Sequence, residues 1–141
     1  MVQLIVGNKG KGKTKHLLEK VNSSVQEVSG NIVYLDKSAK HMYELNNKVR
    51  LIDLSQYGVR SCDGFMGFIF GIISQDHDLE QMYLDNFFSL AHLEEKGEVV
   101  DPVVDSLEKI GEKFGIDFIL SVGCNEGELS DAMKSKVIVS L

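Results

Sequence analysis

Apolar residues gather in six short runs along the chain. They are VQLIV at 2–6, NIVYLD at 31–36, VRLIDL at 49–54, LEQMYLD at 79–85, IDFILSV at 116–122 and KVIVSL at 136–141. Each has the length of a buried strand. Between them the apolar positions shift to a helical spacing. From about Lys13, residues Leu17, Leu18 and Val21 share one face. The run FMGFIFGII begins a stretch from Phe65 to Ser74 that predicts a buried helix, and a further helix is expected at about 86–95. Val103, Leu107, Ile110 and Phe114 predict a helix from about Pro102 to Phe114, with Asp101 as its cap, Pro102 in its first turn and Gly115 at its end. A short helix is expected at 38–46. Strands alternating with helices predict an α/β fold, a single domain over 1–141, with a mostly parallel sheet of about five or six strands and helices on both faces. Such sheets bind ligands beyond the carboxyl ends of their strands.

The first strand runs into Gly7-Asn8-Lys9-Gly10-Lys11-Gly12-Lys13-Thr14, which fits G-x-x-x-x-G-K-[ST] at every fixed position. Glycines let successive backbone N–H groups turn inward onto phosphate oxygens, and the helix that follows adds its positive end. Lys13 is placed to reach the β- and γ-phosphates, and the Thr14 hydroxyl to ligate Mg²⁺. Strand, loop and amphipathic helix occur in the order a phosphate cradle needs. Lys9 and Lys11 are not required by the motif and are expected to face solvent, where they raise the local potential. A second acidic group is needed for the metal's water shell. MYLD, ending at Asp85, and VYLD, ending at Asp36, both present an aspartate at a strand end. Asp85 is the preferred metal residue.

Charge and composition narrow the field. The net charge is −6, but residues 1–60 carry ten Lys/Arg and five Asp/Glu, net +5, while 61–141 carry five and sixteen, net −11. An acidic chain is a poor nucleic-acid binder by bulk electrostatics. Cys62 and Cys124 have no CxxC spacing and fit reduced thiols in a cytoplasmic protein. The longest apolar run is too short to span a bilayer. His16, His41, His77 and His92 show no zinc spacing, and Asp76-His77-Asp78 fits a solvated turn. HLEEKGEVVD at 92–101 fits an exposed loop. No N/T-K-x-D guanine motif occurs late in the chain, so ATP or ADP is expected over a guanine nucleotide. Two arginines, Arg50 and Arg60, are too few for the phosphate clamp of a nucleoside monophosphate kinase.

With this loop, the second strand ending YLD, the later MYLD and the polar end of FILSV, the chain resembles the P-loop NTPases, and among them the RecA-type ATPases. The resemblance implies a Walker A loop at Gly7–Thr14 and a Walker B aspartate at Asp85. It also implies that 116–122 lies between the strands carrying them, with 136–141 on the other side of 2–6. Ser121 would then be the polar sensor of the γ-phosphate, with Asn125 as its alternative. The chain is also similar to short bacterial P-loop proteins called twitching-motility or pilus-retraction ATPases. Pilus motors carry a sensing domain before the loop, whereas six residues precede it here. RecA-type ATPases place a catalytic glutamate near the end of the second strand or just after Walker B. Those places hold Ser38 and Asn86. The general base therefore falls to Asp36 or Glu126, and transition-state charge to Lys13 and the metal. Two functions follow as expectations: a weak MgATPase, or a nucleotide-dependent switch that presents a surface to a protein partner or a second copy.

Overall fold

The computed structural model describes residues 1–93 and 97–141. In chain order its elements are β1 (Val2–Val6), α1 (Lys13–Ser24), β2 (Asn31–Asp36), β3 (Val49–Asp53), α2 (Cys62–Gln75), β4 (Leu79–Leu84), α3 (Phe87–Leu90), α4 (Gly97–Phe114), β5 (Asp117–Val122), α5 (Asp131–Lys134) and β6 (Val137–Ser140). The six strands form one sheet in the order β3-β2-β4-β5-β1-β6. Every pairing is parallel, so all carboxyl ends lie along one edge. The α/β fold and the central position of β1, between β5 and β6, are as expected from the sequence.

Alternation along the strands divides the interior in two. Ile5, Ile32, Tyr34, Tyr83 and Ile119 face Leu17, Leu18 and Val21 of α1. Their chain neighbours Leu4, Val33, Leu35, Met82, Leu84, Phe118 and Leu120 face the opposite way. There they meet Phe65, Ile69 and Ile73 of α2 and Val100, Val104, Leu107 and Ile110 of α4. No helix among the described residues is long and apolar enough to cross a membrane.

Several expectations about the helices need correction. Helix α4 starts at Gly97, so Pro102 lies inside it and not in its first turn. The apolar stripe extends back to Val100, which is 1% exposed, and that burial offsets the hydrogen bond proline cannot make. Asp101 does not cap the helix; its carboxylate accepts a hydrogen bond from Ser130 Oγ at 2.6 Å. It follows that 92–101 is not a loop throughout, although 94–96 lie outside the described residues. Residues 38–46 yield only a single 3-10 turn at Met42–Glu44, because no side chain in that turn is buried to hold a longer helix. The helix expected at 86–95 is confined to Phe87–Leu90 as far as the description extends, with His92 in a left-handed conformation after it. Helix α2 is buried on one face only: Phe70 is 47% exposed, and Gly67 and Gly71 face open space. The short helix α5 was not expected; it is capped by Ser130 and anchored by buried Met133.

One glycine sets the approach of β2 to β4. A Cβ on Gly30 would lie 2.2 Å from the Asp78 carbonyl oxygen. The Gly30→Ala protein is expected to lose about 1–3 kcal/mol, the usual cost of overpacking. A urea midpoint equal to that of the parent would contradict this close approach.

Candidate functional site

The loop after β1 keeps the Gly7 N–H on the Val122 carbonyl at 3.3 Å, so the chain leaves the sheet in register with β5. Gly10 and Gly12 then take φ of 86° and 91°, a backbone region that side chains strain to enter. Helix α1 begins directly after Gly12, and no side chain caps it. Its first-turn N–H groups are therefore available to a ligand. Lys13 Nζ donates to the Asn8 carbonyl at 3.2 Å. Burial lowers the Lys13 pKa, and the nearby Asp85 and Cys124 oppose that shift. Asn8 Nδ2 donates to Asn125 Oδ1 at 3.0 Å, so Asn125 steadies the loop.

The loop opens onto a cavity of about 760 Å³. Asn8, Lys9, Gly10, Gly12, Lys13 and Thr14 form one side of it. Lys40, Asp85, Asn86, Ser121 and Gly123 form the other. Of the expected site residues, Gly7, Lys11, Asp36 and Glu126 do not line this cavity. Glu126 is exposed in a 3-10 turn after β5.

Asp85 is the centre of the polar arrangement. It is 5% exposed and sits immediately after β4. Thr14 Oγ1 lies 3.2 and 3.1 Å from its two carboxylate oxygens, sharing one hydroxyl proton between them. Tyr34 Oη donates to Oδ2 at 2.9 Å, and Ser121 Oγ donates to Oδ1 at 2.8 Å. Ser121 Oγ also accepts from the Asn86 N–H at 2.6 Å. Burial and the adjoining Asp85 push the Tyr34 phenol well above its ordinary pKa, which keeps it a donor.

Asp36 ends β2, the strand next to β4, and Tyr34 pairs in register with Tyr83. The two YLD triplets therefore place two carboxylates side by side. Burial first, and Asp85 second, raise the Asp36 pKa; the Lys37 N–H, His41 and Lys40 oppose the shift. Mg²⁺ takes one or two protein oxygens and completes its shell with phosphates and water. Thr14 and Asp85, adjoining at the mouth of the loop, fit that donor set. A cage of three or more His, Cys, Asp or Glu side chains does not occur among the described residues.

Sequence reasoning missed the roles of Tyr34, Lys40 and Gly123 around this cavity. Tyr34 had a visible signal, the YLD triplet repeated in two strands. Lys40 and Gly123 had none, because loop conformation alone brings them in.

No protein-family model matches the chain, and no curated protein matches it. Among solved structures, a KaiC-like protein from the hyperthermophilic archaeon Pyrococcus horikoshii is similar, with a TM-score of 0.59 and 20% identity. The match covers 85% of this chain and 61% of the archaeal one, so the chain spans less than two thirds of its neighbour. At this identity the likeness establishes the fold, which is RecA-like.

The burial of Asp36 near Asp85 has a consequence for stability. A carboxyl whose pKa is raised on folding costs stability once ionised, since the folded state holds its proton more tightly than the unfolded one. Asp36→Asn keeps an acceptor for the Lys37 N–H and removes the charge. In metal-free buffer it is expected to melt at a higher temperature than the parent at pH 7. The difference should shrink as pH falls through the raised value and vanish below the ordinary aspartate value of 3.8. A difference independent of pH would rule out this electrostatic origin.

Proposed function

We propose that the chain is a P-loop nucleotide-binding domain over 1–141 that takes MgATP or ADP at Gly7–Thr14 and hydrolyses ATP slowly. The observation that carries this is the Thr14–Asp85 pair at the mouth of a glycine-rich loop that lines a cavity. In this assignment the N–H groups of the loop and of the first turn of α1 hold the phosphates. Lys13 supplies the placed charge on the β- and γ-phosphates, and Lys40 adds a second cation from the far wall. Thr14 and Asp85 would hold Mg²⁺, which neutralises phosphate charge when bound. Ser121, bonded to both Asp85 and the Asn86 N–H, is the group that senses the terminal phosphate.

Asp36 is favoured over Glu126 as the base. Neither lines the cavity, but Asp36 is buried beside Asp85 with a raised pKa, whereas Glu126 is exposed in the turn after β5. Neither Ser38 nor Asn86 can accept a proton as glutamate does, and Arg50 is exposed on β3. This supports the second function, a cytoplasmic switch whose nucleotide state is read by a protein partner or a second copy. The resemblance to pilus-retraction ATPases enters only through the shared loop, and the acidic balance disfavours nucleic acid.

Lys13→Ala is expected to weaken MgATP binding by about 2–3 kcal/mol, the loss of a charge-assisted contact to phosphate. Asp85→Asn should preserve metal-free binding but lose the Mg²⁺ enhancement, because an amide brings no charge to the metal's water shell. Calorimetric titrations with and without Mg²⁺ check both. Equal affinity of the parent and Lys13→Ala would refute the nucleotide assignment.

Turnover separates the two functions. The purified chain is expected to hydrolyse MgATP well below about 1 per second, the low end of ordinary enzyme rates. Asn86→Glu should raise that rate by placing a carboxylate beside the cavity. Brisk hydrolysis by the parent, abolished in Lys13→Ala, would eliminate the switch.

A further inference from the structure

A second cavity, of about 750 Å³, opens beside the first, within the size range of small-molecule sites. Phe88 and Leu93, each 6% exposed, contribute its apolar lining. Its polar lining is Lys37, Arg60, His92, Ser89 and Asn86. Three of these are basic and none is acidic. No ion pair among the described residues includes Lys37 or Arg60. Among the described residues, no carboxylate pairs with either charge. Arg60 offers a planar fork suited to a two-oxygen grip on carboxylate or phosphate.

The backbone is specialised at the same place. Asn86 (φ 58°) and His92 (φ 54°) are the non-glycine residues with positive φ among the described residues, and both line this cavity. His92 Nε2 donates to the Val59 carbonyl at 3.0 Å, which ties the turn after α3 to the segment carrying Arg60. Asn86 lines both cavities. Its backbone N–H is taken by Ser121, but its side-chain amide has no partner among the described residues. That amide stands between the phosphate loop and the basic cavity.

We propose that this second cavity binds a low-molecular-weight oxyanion, a carboxylate or phosphate compound. Arg60 and Lys37 supply its charge complement, and Asn86 and Ser89 supply neutral hydrogen-bonding groups. Its location beside the terminal phosphate rests on the nucleotide assignment; the binding itself does not.

The test uses the full chain saturated with MgADP, titrated separately with inorganic phosphate and with succinate at constant ionic strength. The ring-proton NMR signals of His92 are the readout. At least one anion should shift them saturably, with a Kd on the order of 1 mM. Response to phosphate alone, or to succinate alone, assigns the ligand's headgroup. Arg60→Ala and Lys37→Ala, both at exposed positions, should each weaken binding by about tenfold. Lys13→Ala without nucleotide should leave the anion titration intact, because the site lies outside the loop. The absence of a saturable shift with either anion, unchanged affinity in both Arg60→Ala and Lys37→Ala, or loss of the titration in Lys13→Ala would overturn the proposal. If MgADP fails to bind the parent, the nucleotide assignment falls, and the nucleotide-free titration still decides the cavity by its dependence on Arg60 and Lys37.

Discussion

A carboxylate buried without a matching cation is costly, and this fold is organised around one. Asp85 is almost fully enclosed, and what holds it is a set of hydroxyl donors drawn from three other elements: Thr14 from α1, Tyr34 from β2 and Ser121 from β5. Hydrogen bonds to a charged acceptor contribute more than neutral ones, and leaving such a group unpaired costs more still. Each donor therefore fixes where its element can lie. β4 must run between β2 and β5, and the loop must deliver Thr14 over the carboxyl end of β4. The sheet order and the placement of the glycine loop satisfy the same constraint.

That arrangement leaves a deliberate imbalance. Asp36 stands beside Asp85, and both are buried. Burial first, and the neighbouring Asp85 charge second, shift Asp36 upward. Lys13 lies nearby but donates to the Asn8 carbonyl and is itself partly desolvated. Two carboxylates beside one partly committed lysine form a grouping that a divalent cation would relieve. Strain of this kind tends to collect where a protein acts.

Much of the fold was legible because strand alternation and helix spacing report directly on burial. All six strands fall within a residue or so of the runs read from the sequence, and the flanking of β1 by β5 and β6 is what the resemblance to RecA-type ATPases implied. The errors lie where local signals and tertiary burial disagree. Pro102 looked like a helix start, but burial of Val100 and Val104 carries α4 a full turn further back. The turn at 42–44 buries none of its side chains, so nothing extends it into a longer helix. At the site, the motif residues were readable because backbone chemistry fixes their spacing. The hydroxyl partners of Asp85 were only partly so. Ser121 stood at a strand end, while Tyr34 looked like an ordinary core aromatic, its ring stacked on Tyr83 at 6.3 Å.

The division of charge along the chain follows from the same geometry. Lys9, Lys13, Lys37, Lys40 and Arg60 all belong to the first sixty residues, and all line one or other of the two cavities. They reach that edge because the loops after β1, β2 and β3 leave the sheet there. The acidic excess of the rest of the chain includes Asp105 and Glu112, exposed on α4. At physiological ionic strength, exposed charges more than about 8 Å apart scarcely feel one another. An anion arriving at the carboxyl edge therefore meets the local cations and not the net charge of −6. A whole-chain balance that argues against nucleic acid is thus compatible with a strongly anion-attracting edge, since the parallel strands gather the basic loops at one end of the sheet.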